Sequence, residues 1–460
     1  MEYAALVVAQ KRYFASGKTL ERAFRKQQLQ KLLDLCITYE DAILEALQKD
    51  LHKSYFPAWA IEVGVIQSEL RFALKKLRAW MHPRALPYAL LHFYSSSHVQ
   101  YTPFGNTLII GAWNYPFLLT LRPAIGAIAA GNTTILKPSD QAVHTARVIE
   151  EMINTHFDPG YLHVVHADGP GTAKLLEEKF DMIFYTGGTT VGKLVYTAAA
   201  KQLTPVILEL GGKNPCIVTP DTNITIAAKR IAWGKFSNAG QTCVATDYLL
   251  VHASIKDVLV EKIIEQIKSS YGADAGESAD YGRMINHRQF ERVKGLLQGA
   301  HIIYGGKTDA EKLYVEPTII EVDDLQHPSM QEEIFGPVLP VITYTDMEEA
   351  LRVIERNPEP LVLYAFTRDK KLIHKLIHEI PGGDVVINEQ VLHFGHLYFP
   401  IGGKGNSGMG KYQGEYSFIA FSHPKSVLHR SYFPDLSVRY PPYTKKKNRR
   451  IRQIFRYFFD

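Results

Sequence analysis

From Thr107 onward the chain alternates short apolar runs with longer stretches of helical periodicity, and few folds accept that rhythm. The runs are Thr107–Ile110, Thr133–Leu136, Leu162–Val165, Met182–Tyr185 and Val206–Leu208. Strands separated by crossover helices give a parallel sheet wound with helices. A second series follows Gly212, at Cys216–Val218, Tyr248–His252, Val338–Tyr344, Leu361–Phe366 and Val385–Asn388. The expected fold class is α/β with two doubly wound domains, since 460 residues exceed one compact core. The turn Gly211-Gly212-Lys213 is the hinge, which places Glu209 and Cys243 on opposite sides of an interdomain cleft.

Ahead of the strands, apolar residues recur at helical spacing from Leu20 to Leu51, predicting two amphipathic helices. Another helix is predicted from Ala58 to Trp80, ended by Pro83 and Pro87. The Ser- and Tyr-rich segment Phe93–Phe104 alternates in character and predicts a hairpin projecting from the body.

Ligands of wound parallel sheets collect at the carboxyl ends of the strands. Polar and glycine-rich residues stand there: Trp113-Asn114-Tyr115-Pro116, Lys137-Pro138-Ser139-Asp140, Thr186-Gly187-Gly188-Thr189 and Glu209-Leu210-Gly211-Gly212. In the second half, Phe236–Val244 places a lone thiol, Cys243, among small and polar residues. Such a thiol attacks as the thiolate and needs a partner for the later proton, whereas an ordinary free cysteine is a buried small hydrophobe.

Several chemistries are excluded. Gly187 to Lys193 begins like a phosphate loop, but Leu194 stands where a magnesium-binding hydroxyl is required. Gly403 to Gly408 matches a dinucleotide fingerprint without its strand, helix and distal acid, and reads as a turn. Gly187 to Gly192 does follow a strand and open a helix, which suits a phosphate. His393 and His396 make only half a metal site and read as loop histidines, so no metal is expected.

Three cysteines, Cys36, Cys216 and Cys243, give no disulfide framework and point to a reducing compartment, the cytoplasm. The apolar run Ala4–Ala9 has no preceding Lys or Arg and is not a secretory signal. Phe117–Ala130 contains Arg122 and Pro123 and is too short to span a bilayer. The net charge is +5, yet the last twenty residues alone carry +6, leaving the rest at −1. A nucleic-acid footprint across the fold is therefore not expected.

Taken in order, Asn114 after Trp113, Glu209-Leu210-Gly211-Gly212-Lys213, Gly240-Gln241-Thr242-Cys243 and Glu332-Glu333-Ile334-Phe335-Gly336-Pro337 resemble the NAD(P)-dependent aldehyde dehydrogenase superfamily. The similarity runs from Leu20 to Pro442. The short N-terminal region, Asn388, Ser407-Gly408-Met409-Gly410 and Ser417 to His423 make the chain most similar to the class 3, fatty-aldehyde-type branch.

The resemblance implies a reaction. An aldehyde carbon releases hydride only after a nucleophile makes a tetrahedral adduct, the role implied for Cys243. The oxyanion needs preorganised donors, each worth about 3 kcal/mol, and the resemblance gives that role to the Asn114 amide with the Cys243 backbone N–H. A thioester on Cys243 is then opened by water, with Glu209 as general base. Lys137 resembles the lysine that holds the adenosine ribose, Glu333 the carboxylate on the nicotinamide ribose, and Phe335 the ring beside the nicotinamide. Gly187 and Gly192 would lie near the pyrophosphate and adenine. The implied cofactor is NAD, with NADP as the alternative. Implied partners are a small-molecule aldehyde and a second copy of the chain in a homodimer.

The implied division is residues 1–92 and 105–211 for cofactor binding, 212–400 for catalysis, and 93–104 with 401–440 for a bridging and oligomerisation element. Three departures accompany it. Asp140 stands where many relatives have Glu, a position where a carboxylate favours NAD. Gly188 replaces the usual Ser or Asn and removes a polar contact. Ile401 replaces Phe and Lys404 a small apolar residue, so a different substrate mouth is expected.

Residues 441–460 interleave Lys445 to Lys447, Arg449, Arg450, Arg452 and Arg456 with Ile451, Ile454, Phe455, Phe458 and Phe459. A basic amphipathic helix of this kind lies in an anionic membrane surface but cannot span one; the alternative is a solvated or subunit-packed extension. Two rival functions remain at this stage. A CoA-acylating relative would need no water-activating base, against Glu209. A silent binding protein would tolerate loss of Asn114, Glu209, Cys243 and Glu333, which are all present.

Overall fold

The structure, a computed structural model, describes residues 2–87, 94–435 and 437–459. Its first part is helical, with Arg22–Thr38 and Glu40–Leu51 forming the two amphipathic helices expected. Leu29, Leu32, Leu33, Cys36, Ile43 and Leu47 bury their shared faces. The apolar run at Ala4–Ala9 also becomes a helix, Tyr3–Ala15, whose Gln10 donates to the carbonyl of Thr134 at 3.0 Å. The helix Gly64–Trp80 is entered through a π-helical segment, Ala58–Val63. Such wider turns favour functional sites, and this one carries the buried Glu62.

Two short strands follow, Arg84–Ala85 (β1) and Ser95–Pro103 (β2). Then come Asn106–Ile110 (β3), Thr133–Lys137 (β4), Leu162–Val164 (β5), Met182–Gly187 (β6) and Val206–Leu210 (β7). These five pair in parallel in the order β7-β6-β3-β4-β5. The order reverses between β3 and β6, so the crevice at the carboxyl ends of those strands is the expected ligand site. Against β4 packs the helix Pro116–Ala130, buried on every face. It crosses the core, and its Arg122 is neutralised by Glu69 at 2.7 Å.

The second sheet contains Pro215–Val218 (β8), Tyr248–His252 (β9), His301–Tyr304 (β10), Thr318–Glu321 (β13), Val338–Tyr344 (β14), Val362–Phe366 (β15) and Asp384–Ile387 (β16). A small ribbon, Thr308–Asp309 (β11) with Tyr314–Val315 (β12), stands beside it. The order is β10-β13-β14-β9-β8-β15-β16, parallel except at β10. Cys243 precedes β9 and so sits at the amino end of this sheet, its neighbour Gln241 bonded to Asn114 after β3 of the first.

The chain then returns. Gly408–Met409 (β17) adds antiparallel to β7, with Gly408 opposite Glu209. Ser422–Arg430 (β18) pairs along its whole length with β2. The hairpin predicted at Phe93–Phe104 is thus corrected: Phe93 lies outside the described residues, and the rest is one strand whose long partner comes from the far end of the chain. Alternation in a segment reports a half-covered strand but not the source of its neighbour. The helix Lys445–Phe459 closes the chain, with Ile451 and Phe455 exposed. Among the described residues no helix is long and apolar enough to cross a membrane.

Candidate active site

The loop carrying Cys243 is built from a helix that stops abruptly. Ile224–Phe236 is capped by Asn223, whose side chain accepts from the Ile226 amide at 3.1 Å. The chain then turns through Asn238 and Ala239, both at positive φ, a conformation L-residues adopt only when surroundings enforce it. The enforcement is visible. Asn238 Nδ2 donates to the carbonyls of Asn114 and Gln241 at 3.0 and 3.1 Å. Gln241 Nε2 donates to Asn238 and Arg283 carbonyls at 3.0 and 2.9 Å. From the hinge, Asn214 Nδ2 donates to the carbonyl of Cys243 at 2.7 Å.

Asn114 lies 2% exposed in the turn after β3 and donates from Nδ2 to the Gln241 carbonyl at 3.0 Å. The next residue, Tyr115, shares a 2.8 Å hydrogen bond with Thr242, the neighbour of Cys243. Beneath them is a buried ion pair, Lys53 Nζ to Glu62 Oε1 at 2.5 Å. Lys53 also donates to the Asn114 carbonyl at 2.8 Å, while Glu62 Oε2 accepts the amides of Phe117 and Leu118 at 3.0 and 3.1 Å. A carboxylate on first-turn amides is well placed against the helix dipole. The backbone on both sides of Asn114 is therefore fixed by residues from the N-terminal helices.

Glu209 sits near the end of β7, 6% exposed. Burial holds its carboxyl well above the usual carboxylate range; Asp384 adds to that and Lys411 opposes it. Glu333 is pushed up to about 8, by burial first and by Asp247 second, against the Gly212 amide, Lys213 and Arg292. A Cβ on Gly211 would overlap the Glu333 carboxylate, so only glycine admits the acid at the hinge. Lys213 ties the hinge to this acidic segment: it pairs with Asp247 and donates to the carbonyls of Ser329 and Glu332 at 2.6 and 3.0 Å. Asp247 in turn accepts the Ile334 amide at 3.0 Å. Lys235, buried on the helix before the nucleophile, is brought down to about 8 by burial, with Asp247 and Glu333 opposing.

Burial pushes the Cys243 thiol up to about 12, and Glu333 and Glu209 add to the rise. The resting sulfur is therefore a neutral thiol, and attack requires a proton acceptor. Cys243 forms one wall of an apolar pocket with Leu118, Leu119, Trp233, Val391 and Phe394. The lining comes from both halves of the chain. Ile401 and Lys404 are not part of it; Ile401 is buried and bridged to Tyr412. Lys404 is exposed, so the expectation of a different mouth from these two positions stays a proposal.

The remaining predicted residues gather at the crevice of the first sheet. Lys137 Nζ ends β4, buried, 3.6 Å from the exposed carboxylate of Asp140. Gly188 precedes the helix Thr189–Ala200 with no side-chain cap, and open space lies where its Cβ would be. Uncapped first-turn amides facing space fit a phosphate group, and the Lys137–Asp140 pair fits a ribose diol. The bare sides of Gly187 and Gly192 face Tyr185 and Leu210 instead, letting the helix approach the sheet. Phe335, at positive φ, meets Trp113 edge-on with ring centroids 5.2 Å apart. His393 is buried with both ring nitrogens unpartnered, and burial lowers it to about 4.

Lys53, Glu62, Asp247 and Lys411 carry no sequence signal for these contacts. Each meets its partner through the fold rather than through local spacing.

Residues 2–427 match the aldehyde dehydrogenase family. The chain is 42% identical over 448 residues to the 4,4'-diaponeurosporen-aldehyde dehydrogenase of Staphylococcus aureus, covering 97% of each chain. It is 45% identical over 438 residues to the dimeric NADP-preferring aldehyde dehydrogenase of Canis lupus familiaris, covering 95% of this chain and 97% of the other. A structure of the substrate-bound state of Staphylococcus aureus AldH superposes with a TM-score of 0.96 at 42% identity, covering 98% of this chain and 99% of that one.

Proposed function

The chain belongs to the aldehyde dehydrogenase family, and from that premise we propose that it oxidises medium- and long-chain or aromatic aldehydes to carboxylic acids with NAD, NADP being the alternative. The observation that carries this reading is the placing of Cys243 at an apolar pocket between the Asn114 loop and two buried carboxylates. A polar or charged aldehyde would leave its groups unpaired against that lining.

The proposed steps follow from the residues. The Cys243 thiol gives its proton to Glu209 as sulfur adds to the carbonyl carbon, and Glu209 releases that proton to solvent before the thioester is opened. The second N–H of the Asn114 amide and the Cys243 backbone N–H receive the oxyanion, held in place by Gln241, Lys53 and Asn214 before substrate arrives. NAD(P), when bound, accepts the hydride that leaves the adduct. Lys137 and Asp140 would hold a ribose diol, the amides after Gly188 a phosphate, Glu333 the second ribose and Phe335 the ring face. Glu209 then takes a proton from the water that opens the thioester, which a base with a raised pKa does well near neutrality.

The domain division of residues 1–92 and 105–211, 212–400, and 93–104 with 401–440 is proposed on the same footing, supported by the two sheets and the β2–β18 return. A homodimer is proposed from the dimeric relative. The basic helix Lys445–Phe459 supports peripheral contact with the cytoplasmic face of an anionic membrane.

The test is steady-state reduction of NAD and NADP across straight-chain aldehydes of increasing length, with product analysis in the presence and absence of CoA. Rising kcat/KM with chain length and free acid as product are expected. No reduction of either cofactor, or acyl-CoA as product, would overturn the reading.

A further inference from the structure

Glu209 is enclosed, yet Oε1 has no hydrogen-bond partner. The space in front of that oxygen is kept clear by Gly402: a Cβ there would lie 2.8 Å from Glu209 Oε1 and 3.2 Å from Lys411 Cδ. Gly402, at φ +152, thus leaves room beside the Gly410 carbonyl that the Glu209 carboxylate and the Lys411 stem approach from two sides. Lys411 is held on that spot, pairing with the Gly402 carbonyl, donating to the Gly383 carbonyl at 3.4 Å and lying 3.6 Å from Asp384 Oδ1. Asp384 opens β16; its Oδ2 makes no hydrogen bond and lies 3.9 Å from Nε2 of His393, which burial keeps neutral.

We propose that Lys411 and Asp384 are a positioning pair of opposed charges that sets how readily Glu209 takes and releases a proton. The pair acts on the general base proposed above and so rests on that reading. The charged and titratable groups facing Glu209 are Lys411, Asp384, the Cys243 thiol and the Tyr412 phenol. Its sheet neighbours, Thr186 on β6 and Gly408 on β17, carry no charge. Of the groups that face it, Lys411 is thus the sole cation. In an enclosed site a nearby charge shifts a carboxyl by about 1–3 pH units, downward for a cation and upward for an anion. Tethering Lys411 to Asp384 keeps the ammonium beside Glu209 without letting it form a direct ion pair, which would hold Glu209 permanently ionised and a poor base.

The test compares pH profiles of kcat under conditions where thioester hydrolysis limits turnover. Lys411→Met should move the acid limb upward by about one pH unit and Asp384→Asn should move it downward by a similar amount. The pre-steady-state burst of reduced cofactor should keep its amplitude in both, and Lys411→Arg should restore the parental limb. Limbs that move together, or do not move in folded protein, overturn the proposal; the near-isosteric Asp384→Asn keeps it decidable if Lys411→Met is unstable. In a Glu209→Gln background neither substitution should act. A parental limb surviving in Glu209→Gln would overturn the general-base reading itself, an outcome distinct from failure of the pair.

Discussion

Lys53 Nζ lies 2.8 Å from the carbonyl oxygen of Asn114, 61 residues further along the chain, and 2.5 Å from Glu62. The loop of Asn114, the proposed oxyanion donor, is thus fixed by an ion pair from the N-terminal helical region. Removing one member of a buried pair strands the other and destabilises by about 3–5 kcal/mol. Lys53→Met should lower thermal stability and also reduce kcat about tenfold or more, with cofactor affinity retained, since small displacements of a preorganised donor weaken the transition state. Combining Lys53→Met with Glu62→Gln should recover part of the stability but not the rate. Calorimetry and steady-state kinetics check both.

Cys243→Ala should abolish aldehyde-dependent reduction while cofactor titration by fluorescence gives an unchanged dissociation constant. Undiminished turnover in that variant would remove the thiol from the mechanism.

Glu209→Gln should leave one burst of reduced cofactor per active site followed by turnover slowed about 100-fold or more, the range of general-base contributions. A normal steady state measured by stopped flow would contradict the assignment.

The thiol itself gives a pH prediction. An acid pushed up to about 12 ionises tenfold more for every unit of rising pH until that value is reached. Iodoacetamide inactivation of the cofactor-free protein should therefore climb log-linearly from pH 6 to 9 without a plateau. Glu333→Gln removes an anion that raises the thiol only where that carboxyl is ionised, and should therefore speed inactivation above about pH 8 and leave it little changed at pH 6.

The terminal helix should carry the protein to liposomes containing anionic lipid, and truncation before Pro441 should leave it in the soluble fraction at unchanged specific activity. Equal flotation of both forms would assign the helix to another role.

The legible part of this fold was its rhythm. Runs such as Met182–Tyr185 and Val338–Tyr344 are apolar because sheets covered on both sides demand it, and they became β6 and β14. His301–Tyr304 was missed although it reads His-Ile-Ile-Tyr, because a four-residue antiparallel edge strand is too short to stand out by its apolar run. Asn114, Glu209, Cys243 and Glu333 stood out as motifs, and the fold brings the Asn114 and Cys243 loops together. Lys53–Glu62, Lys213–Asp247 and Lys411–Asp384 were not, because a buried charge announces itself only once the opposite charge is placed against it in space.

The pairing of β17 with β7 has a consequence for synthesis. Glu209 leaves the ribosome some two hundred residues before Gly408 can pair beside it. A nascent chain that already holds thiol and carboxylates still has an open edge on the strand bearing Glu209, a surface prone to stray pairing. Activity therefore waits on the last part of translation, and prematurely ended products with every motif intact become clients of the cell's folding and disposal machinery.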